Sequence, residues 1–215
     1  MLDLSSLNDA QREAVLTCEG PLLVLAGAGS GKTRVLTYRI AHLVEDLGVA
    51  PWNILAVTFT NKAAHEMRDR LTRLVGNGLR GMWIYTFHSM CVRILRANAT
   101  VLGYGEDFTI YDADDSKRLI KDIMADYGYK GRTFSENAIR SRISSSKNEL
   151  VGAEDYKPRA HDPLEKATAE VFKAYQQRLK RANAMDFDDL LFNAYVLLSQ
   201  HPDICREYGQ IGRAS

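Results

Sequence analysis

The sequence predicts an α/β protein in which a partial parallel sheet is accompanied by an all-α insertion. Three observations predict it. Short apolar runs at 22–26, 54–59 and 82–86 are each followed by a stretch with helical apolar spacing. That alternation argues for right-handed crossovers between parallel strands. From about Asp107 to Arg181 the pattern is almost wholly helical. The first apolar run also ends in a glycine-rich turn, Ala26-Gly27-Ala28-Gly29-Ser30-Gly31-Lys32-Thr33.

The turn has the form of a phosphate cradle. Its glycines let backbone N–H groups converge on a polyphosphate, Lys32 supplies a mobile positive charge, and the Thr33 hydroxyl can hold Mg²⁺. The general pattern has glycine where this chain has Ala26; a small residue still permits the tight turn. The alternative is a plain glycine-rich strand–helix turn. After Thr33, Leu36, Ile40, Leu43, Val44 and Leu47 fall at helical spacing, so the cradle sits at a helix N-terminus, where the dipole favours anions. The ligand class is a nucleoside triphosphate.

The second helix carries Ala64, Met67, Leu71, Leu74 and Val75 on one side, and the third carries Phe87, Met90, Cys91, Ile94 and Leu95. A short apolar start, Phe108-Thr109-Ile110-Tyr111, opens the insertion. Asp115 can begin a helix containing Leu119, Ile120, Ile123 and Met124. A Ser/Arg-rich stretch from Arg140 to Lys147 follows, then turn signals at Gly152, Pro158 and Pro163 and a long helix from Leu164 to about Arg181. Asp186-Phe187-Asp188-Asp189-Leu190-Leu191 opens a last helix running to about Gln200. The expected organisation is a core over 1–106, a helical insertion over 107–182 and a return to a truncated core over 183–215.

Composition bounds the partners. The chain has 215 residues, 46% hydrophobic and 26% charged, with 28 Lys+Arg against 27 Asp+Glu. A net charge of +1 gives no global argument for nucleic acid, so any basic surface must be local. Cys18, Cys91 and Cys205 form no C-x-x-C pair, which fits reduced thiols. No apolar run approaches membrane-spanning length and the first residues lack a charged n-region. The expectation is a cytoplasmic protein with no membrane partner.

Five segments together resemble the amino-terminal motor region of the UvrD/Rep/PcrA-like helicases of superfamily 1. They are Leu7-Asn8-Asp9-Ala10-Gln11-Arg12-Glu13-Ala14-Val15, the cradle from Ala26 to Arg34, Val57-Thr58-Phe59-Thr60-Asn61-Lys62-Ala63-Ala64, Thr86-Phe87-His88, and the segment beginning at Asp186. The resemblance implies a RecA-like phosphate-loop core with a helical insertion, an ATP-driven motor of DNA repair or replication using ATP and Mg²⁺, and single-stranded DNA or a single/double-strand junction as track. It implies that Gln11 reads adenine, that Lys32 contacts the β/γ-phosphates, that Thr33 ligates Mg²⁺ and that Arg34 lies near the nucleotide. It places Thr58, Phe59, Thr60, Asn61, Lys62, Thr86, Phe87 and His88 on the DNA, and the Asp186 segment on the DNA side.

The residues carry simpler readings beside these. Asn8 with Gln11 three positions on is a helix-capping box. Phe59 and Phe87 can be core, with Thr60 and Thr86 as N-caps; the alternative is that Phe59 stacks on a base. Arg140, Arg142 and Lys147 can bind phosphates or form a solvated polar turn. Asp186, Asp188 and Asp189 look like a metal cluster but read better as an N-cap with acidic first-turn residues.

An ATPase of this kind needs an acidic pair at the end of another apolar strand. The resemblance implies an Asp-Glu motif, and no apolar strand here ends in Asp-Glu. The expectation is therefore a fragment that at most weakly binds nucleotide and DNA, without turnover, and whose incomplete sheet leads to self-association or a disordered tail. The rival readings are a phosphate-loop nucleotide kinase or transferase, which needs no Thr-Phe-Thr-Asn-Lys-Ala-Ala segment, and a non-enzymatic DNA-binding module.

Overall fold

A computed structural model describes residues 2–129, 135–159, 161–209 and 211. The chain divides into two compact units, one of Met1–Met90 with Asp203–Ser215 and one of Cys91–Pro202.

In the first unit α1 (Asp9–Leu16) is started by a capping box. Asn8 accepts from the Gln11 amide while the Gln11 side chain accepts from Asn8 N–H, so two orphan donors are satisfied at once. Helix α2 (Lys32–Glu45) follows the glycine-rich turn. Strand β1 (Leu55–Thr58) leads into α3 (Asn61–Val75), and β2 (Trp83–Thr86) leads into α4 (Phe87–Asn98). β1 and β2 pair in parallel, with Leu55 opposite Trp83 and Thr58 opposite Thr86. Ile40, Ile54, Ala56, Ala64, Met67, Leu71 and Ile84 form the core between helices and sheet. The 3.6-residue period of α3 places Ala64, Met67, Leu71 and Val75 inside. Leu7, Val15 and Val35 make a smaller cluster that docks α1 on α2. Helix α9 (Pro202–Tyr208) sets Tyr208 edge-on against Trp83, with ring centroids 5.8 Å apart.

The expected first strand departs from the sequence reading. Residues 21–27 carry no strand. Exposure alternates along Leu22, Leu23, Val24 and Leu25 at 41%, 81%, 43% and 86%, the two-residue period of an extended chain. What is missing is a ladder. A strand persists through bonds to a neighbour, and among the described residues β1 and β2 pair only with each other.

In the second unit β3 (Thr109–Tyr111) pairs in parallel with β4 (Ala184–Asp186), and α5 (Ala113–Asp126), α6 (Glu136–Asn148), α7 (Pro163–Arg181) and α8 (Phe187–Gln200) surround them. The core joins Ile120, Ile123, Ile139, Ile143, Val171, Phe172, Tyr175 and Leu179. Asp112 caps α5 by accepting from the Asp114 and Asp115 amides, so this helix begins two residues before the predicted Asp115. The Ser/Arg-rich stretch lies within α6, capped by Ser135. β4 has no counterpart in the sequence reading, because three residues buried on both faces show no alternation.

Candidate functional site

The glycine-rich turn closes on its own lysine. Gly29 and Gly31 both have left-handed backbone (φ 76° and 86°), a conformation that costs other residues energy. A Cβ at Gly31 would also lie 3.0 Å from Gln11 Nε2. Lys32 Nζ donates to the carbonyls of Ala26 (2.9 Å) and Gly27 (2.7 Å), and Ser30 Oγ donates to Gly27 O at 2.7 Å. No side chain caps the N-terminus of α2. Its first-turn amides therefore meet an anion without displacing a cap, at the positive end of a fourteen-residue dipole. Thr33 and Arg34 are exposed beside it, and the Arg34 guanidinium stands 5.7 Å from the centre of the Tyr38 ring. These groups fit a magnesium-bound triphosphate in charge, in donor geometry and in having a hydroxyl next to the lysine.

Gln11 reaches this loop. Its Oε1 accepts from Asn8 N–H at 3.2 Å and its Nε2 donates to Ser30 O at 3.0 Å. One amide thus ties the start of α1 to the turn before α2, while one N–H and one lone pair keep room for a further partner. The Ser30 contact lies nineteen residues away and has no signature in the sequence.

A second set of candidates gathers at the carboxyl ends of β1 and β2. Thr60 caps α3 through Ala63 N–H at 3.1 Å, and Thr86 accepts from Ser89 N–H at 3.2 Å. The two helix starts are linked, with Ser89 Oγ donating to Asn61 Oδ1 at 3.4 Å. Thr58 Oγ1 donates to Thr60 O at 3.1 Å, and Lys62 is exposed in the first turn of α3. His88 is half-buried in the first turn of α4. The caps foreseen as the plainer reading of Thr60 and Thr86 are present. The core placement of the aromatics is not: Phe59 is 93% and Phe87 48% exposed, with ring centroids 6.3 Å apart and planes at 54°. Parallel pairing brings Thr58 level with Thr86, so the residues that follow leave the sheet side by side and their rings meet above its end.

In the second unit the Ser/Arg run separates into three roles. Arg142 pairs with Glu165 at 2.8 Å, and Arg140 donates to Ala113 O at 3.4 Å. Lys147 is buried, with its ammonium 2.7 Å from Asp186 Oδ2 and 2.8 Å from Asp189 Oδ1. That burial corrects both readings of Lys147, as a phosphate contact and as part of a solvated polar turn, since a lysine enclosed with two carboxylates faces neither DNA nor water. Asp186 is the N-cap of α8, in a capping box with Asp189. Among the described residues no group of three or more His, Cys, Asp or Glu could hold a metal ion. Burial pushes the Asp189 carboxyl up to about 6 against the pull of Lys147, and it pushes the Cys91 thiol up to about 11. Cys18, Cys91 and Cys205 are all free. No described helix is long and apolar enough to cross a membrane.

Parallel strands that end in capped helices, with a glycine-rich phosphate-type turn opening α2, define the class: a mixed α/β protein with a phosphate-type turn. Residues 7–211 match the UvrD/REP helicase N-terminal domain, and the chain belongs to that family. It is 45% identical over 207 residues to an ATP-dependent DNA helicase PcrA of Leuconostoc citreum, covering 96% of this chain. It is 47% identical over 205 residues to the protein of the same description from Staphylococcus epidermidis, and 46% to that of Staphylococcus aureus. The chain spans 28% of the length of these curated relatives.

Proposed function

We propose that this chain is the nucleotide-binding and DNA-tracking part of an ATP-dependent DNA helicase. The observation that carries the reading is the turn at 26–33, where two left-handed glycines and the Lys32 ammonium frame an uncapped helix start. In this reading 1–106 is the first part of a RecA-like core, 107–182 a helical insertion and 183–215 a return to the core. Lys32 exchanges its two carbonyl partners for β- and γ-phosphate oxygens, and the first-turn amides of α2 hold the same oxygens. Thr33 would ligate Mg²⁺, which supplies charge neutralisation on the phosphates when bound. Gln11 and Arg34, which flank Gly31, hold the base end of the nucleotide.

Single-stranded DNA crosses the carboxyl ends of β1 and β2. Phe59 and Phe87 offer base-stacking faces, while Thr58, Thr60, Asn61, Lys62, Thr86 and His88 supply polar contacts to its backbone. Two rings exposed beside capped helix starts favour this reading over a phosphate-loop kinase, which has no use for them. The uncovered apolar segment at 22–25 fits self-association. No apolar strand ends in Asp-Glu, so the reading expects binding without turnover from this chain.

The experiment is calorimetric titration of the chain with Mg-ATP, alongside anisotropy of a labelled oligothymidylate. Binding of both, with the nucleotide lost in Lys32→Ala, supports the reading; absence of nucleotide binding at millimolar concentration removes it.

A further inference from the structure

Helix α1 is eight residues long, too short to hold its own shape in water. It keeps its place through α2. Gly31, Val35 and Arg39 recur every four residues, with Val35 N–H already bonded to Gly31 O, so the three share one face. Gln11 lies against Gly31, where an added Cβ would stand 3.0 Å from its Nε2. Val15 shares a buried cluster with Val35 and Leu7. Arg39, half-buried, takes the far end: its Nη1 donates to Ala14 O at 2.8 Å and to Thr17 O. The two helices run in the same sense, with a polar tie at each end and an apolar contact between.

The ties differ in kind. Apolar burial presses α1 on α2 but has no direction, so by itself it lets a short helix slide or turn. The Arg39 bonds do have direction. Ala14 O is one of the last four carbonyls of α1, which have no acceptor role inside the helix. The last turn of α1 has no basic residue of its own. The Arg39 guanidinium brings from α2 the positive charge that suits a helix carboxyl end. Gln11 is only three residues from Ala14, under one turn, so what fixes one fixes the other. The lone pair and N–H that the Gln11 amide keeps free complement adenine, which donates from N6 and accepts at N7; guanine presents two acceptors there. Such a match requires the amide to be held within about 0.5 Å.

We propose that Arg39 is a positioning residue for base selection: by holding the carboxyl end of α1 on α2, it sets the Gln11 amide at the mouth of the glycine-rich turn, where the amide tells adenine from guanine. The inference rests on the reading of Gln11 at the base end of the nucleotide and adds a residue to it. Arg39 stands eight residues, about 12 Å, along α2 from Gly31, and acts through α1.

The test titrates Mg-ATP, Mg-GTP and magnesium tripolyphosphate into the full chain and into Arg39→Met, with calorimetry as the readout. Methionine keeps an unbranched stem and removes the donors. The native chain is expected to prefer ATP to GTP about tenfold, the scale of one or two hydrogen bonds. In Arg39→Met the preference should fall to about twofold or less while tripolyphosphate affinity stays native. A folded variant with the native preference overturns the inference. So does an equal loss for all three ligands, which marks a turn loosened as a whole. If Arg39→Met does not fold, Arg39→Gln takes its place, its shorter amide unable to reach both carbonyls. A preference cut at least about threefold then supports the inference, and a native preference overturns it. A native chain that binds ATP and GTP equally, or neither, sinks the base-end reading of Gln11 instead. Amide exchange at Gln11 then decides Arg39 alone: faster exchange in the variant keeps it as the residue that places Gln11, and unchanged exchange overturns it.

Discussion

Lys32 and Gly27 close a ring: the lysine ammonium donates to the glycine carbonyl at 2.7 Å, five residues back along the chain. The contact holds the charge at the mouth of the turn, where an incoming phosphate competes for it. Replacing Lys32 with Ala is expected to lower Mg-ATP affinity at least about tenfold, the scale of a lost charge-assisted hydrogen bond. The side chain is exposed, so the unfolding midpoint should stay near native. Calorimetry and a thermal melt of the same preparation check both halves.

Gly31 tests the backbone of the same turn. Its φ of 86° and the 3.0 Å approach of Gln11 Nε2 leave a methyl group both strained and crowded. Gly31→Ala is expected to destabilise the fold by about 1–3 kcal/mol and to weaken nucleotide binding. Gly20, with φ 69° and open space around it, is the control: Gly20→Ala meets the strain without the clash and should cost less. Urea unfolding of the two variants ranks them.

The Phe59–Phe87 pair makes the DNA reading specific. Removing either ring should leave stability near native, because both are exposed. Each of Phe59→Ala and Phe87→Ala should weaken oligothymidylate binding by about 1–3 kcal/mol, the range for one stacked base. Their effects should not add, since the rings touch. Anisotropy titrations of both single variants and the double variant would show this; full affinity in the double variant would remove the aromatic platform.

Asp189 gives a pH dependence with a definite sign. Burial raises its carboxyl to about 6, above the ordinary value of 3.8. Between those values the folded chain holds a proton that the unfolded chain has released. The stability from this group is therefore full below about pH 4 and is lost as pH rises through about 6. Denaturant melts of the native chain and Asp189→Asn between pH 4 and 7 should differ in slope. The native chain should lose more stability over that rise, and parallel curves would contradict the raised carboxyl.

The uncovered segment at 22–25 predicts association. Leu23 and Leu25 point outward almost fully exposed, on extended backbone with no ladder partner among the described residues. The sedimentation coefficient should rise with protein concentration, and Leu23→Lys/Leu25→Lys should abolish the rise. A native chain that stays monomeric across the range would show the segment to be inert.

Much of this protein was legible in its sequence because the physics involved is local. The 3.6-residue period of α3, the places of β1 and β2, the Asn8–Gln11 capping box, the Asp186 N-cap and the glycine-rich turn each need only a few consecutive residues. Tertiary structure alone decided the rest. Residues 22–26 have strand composition, yet a strand is made by its neighbour, and no described strand stands beside them. Phe59 and Phe87 could be read as core or as surface until parallel register set them together at the sheet end. Lys147 read as one more cation in a Ser/Arg run. Its partners lie about forty residues further along the chain, and only the convergence of three helices turned a soluble charge into the buried centre of a network.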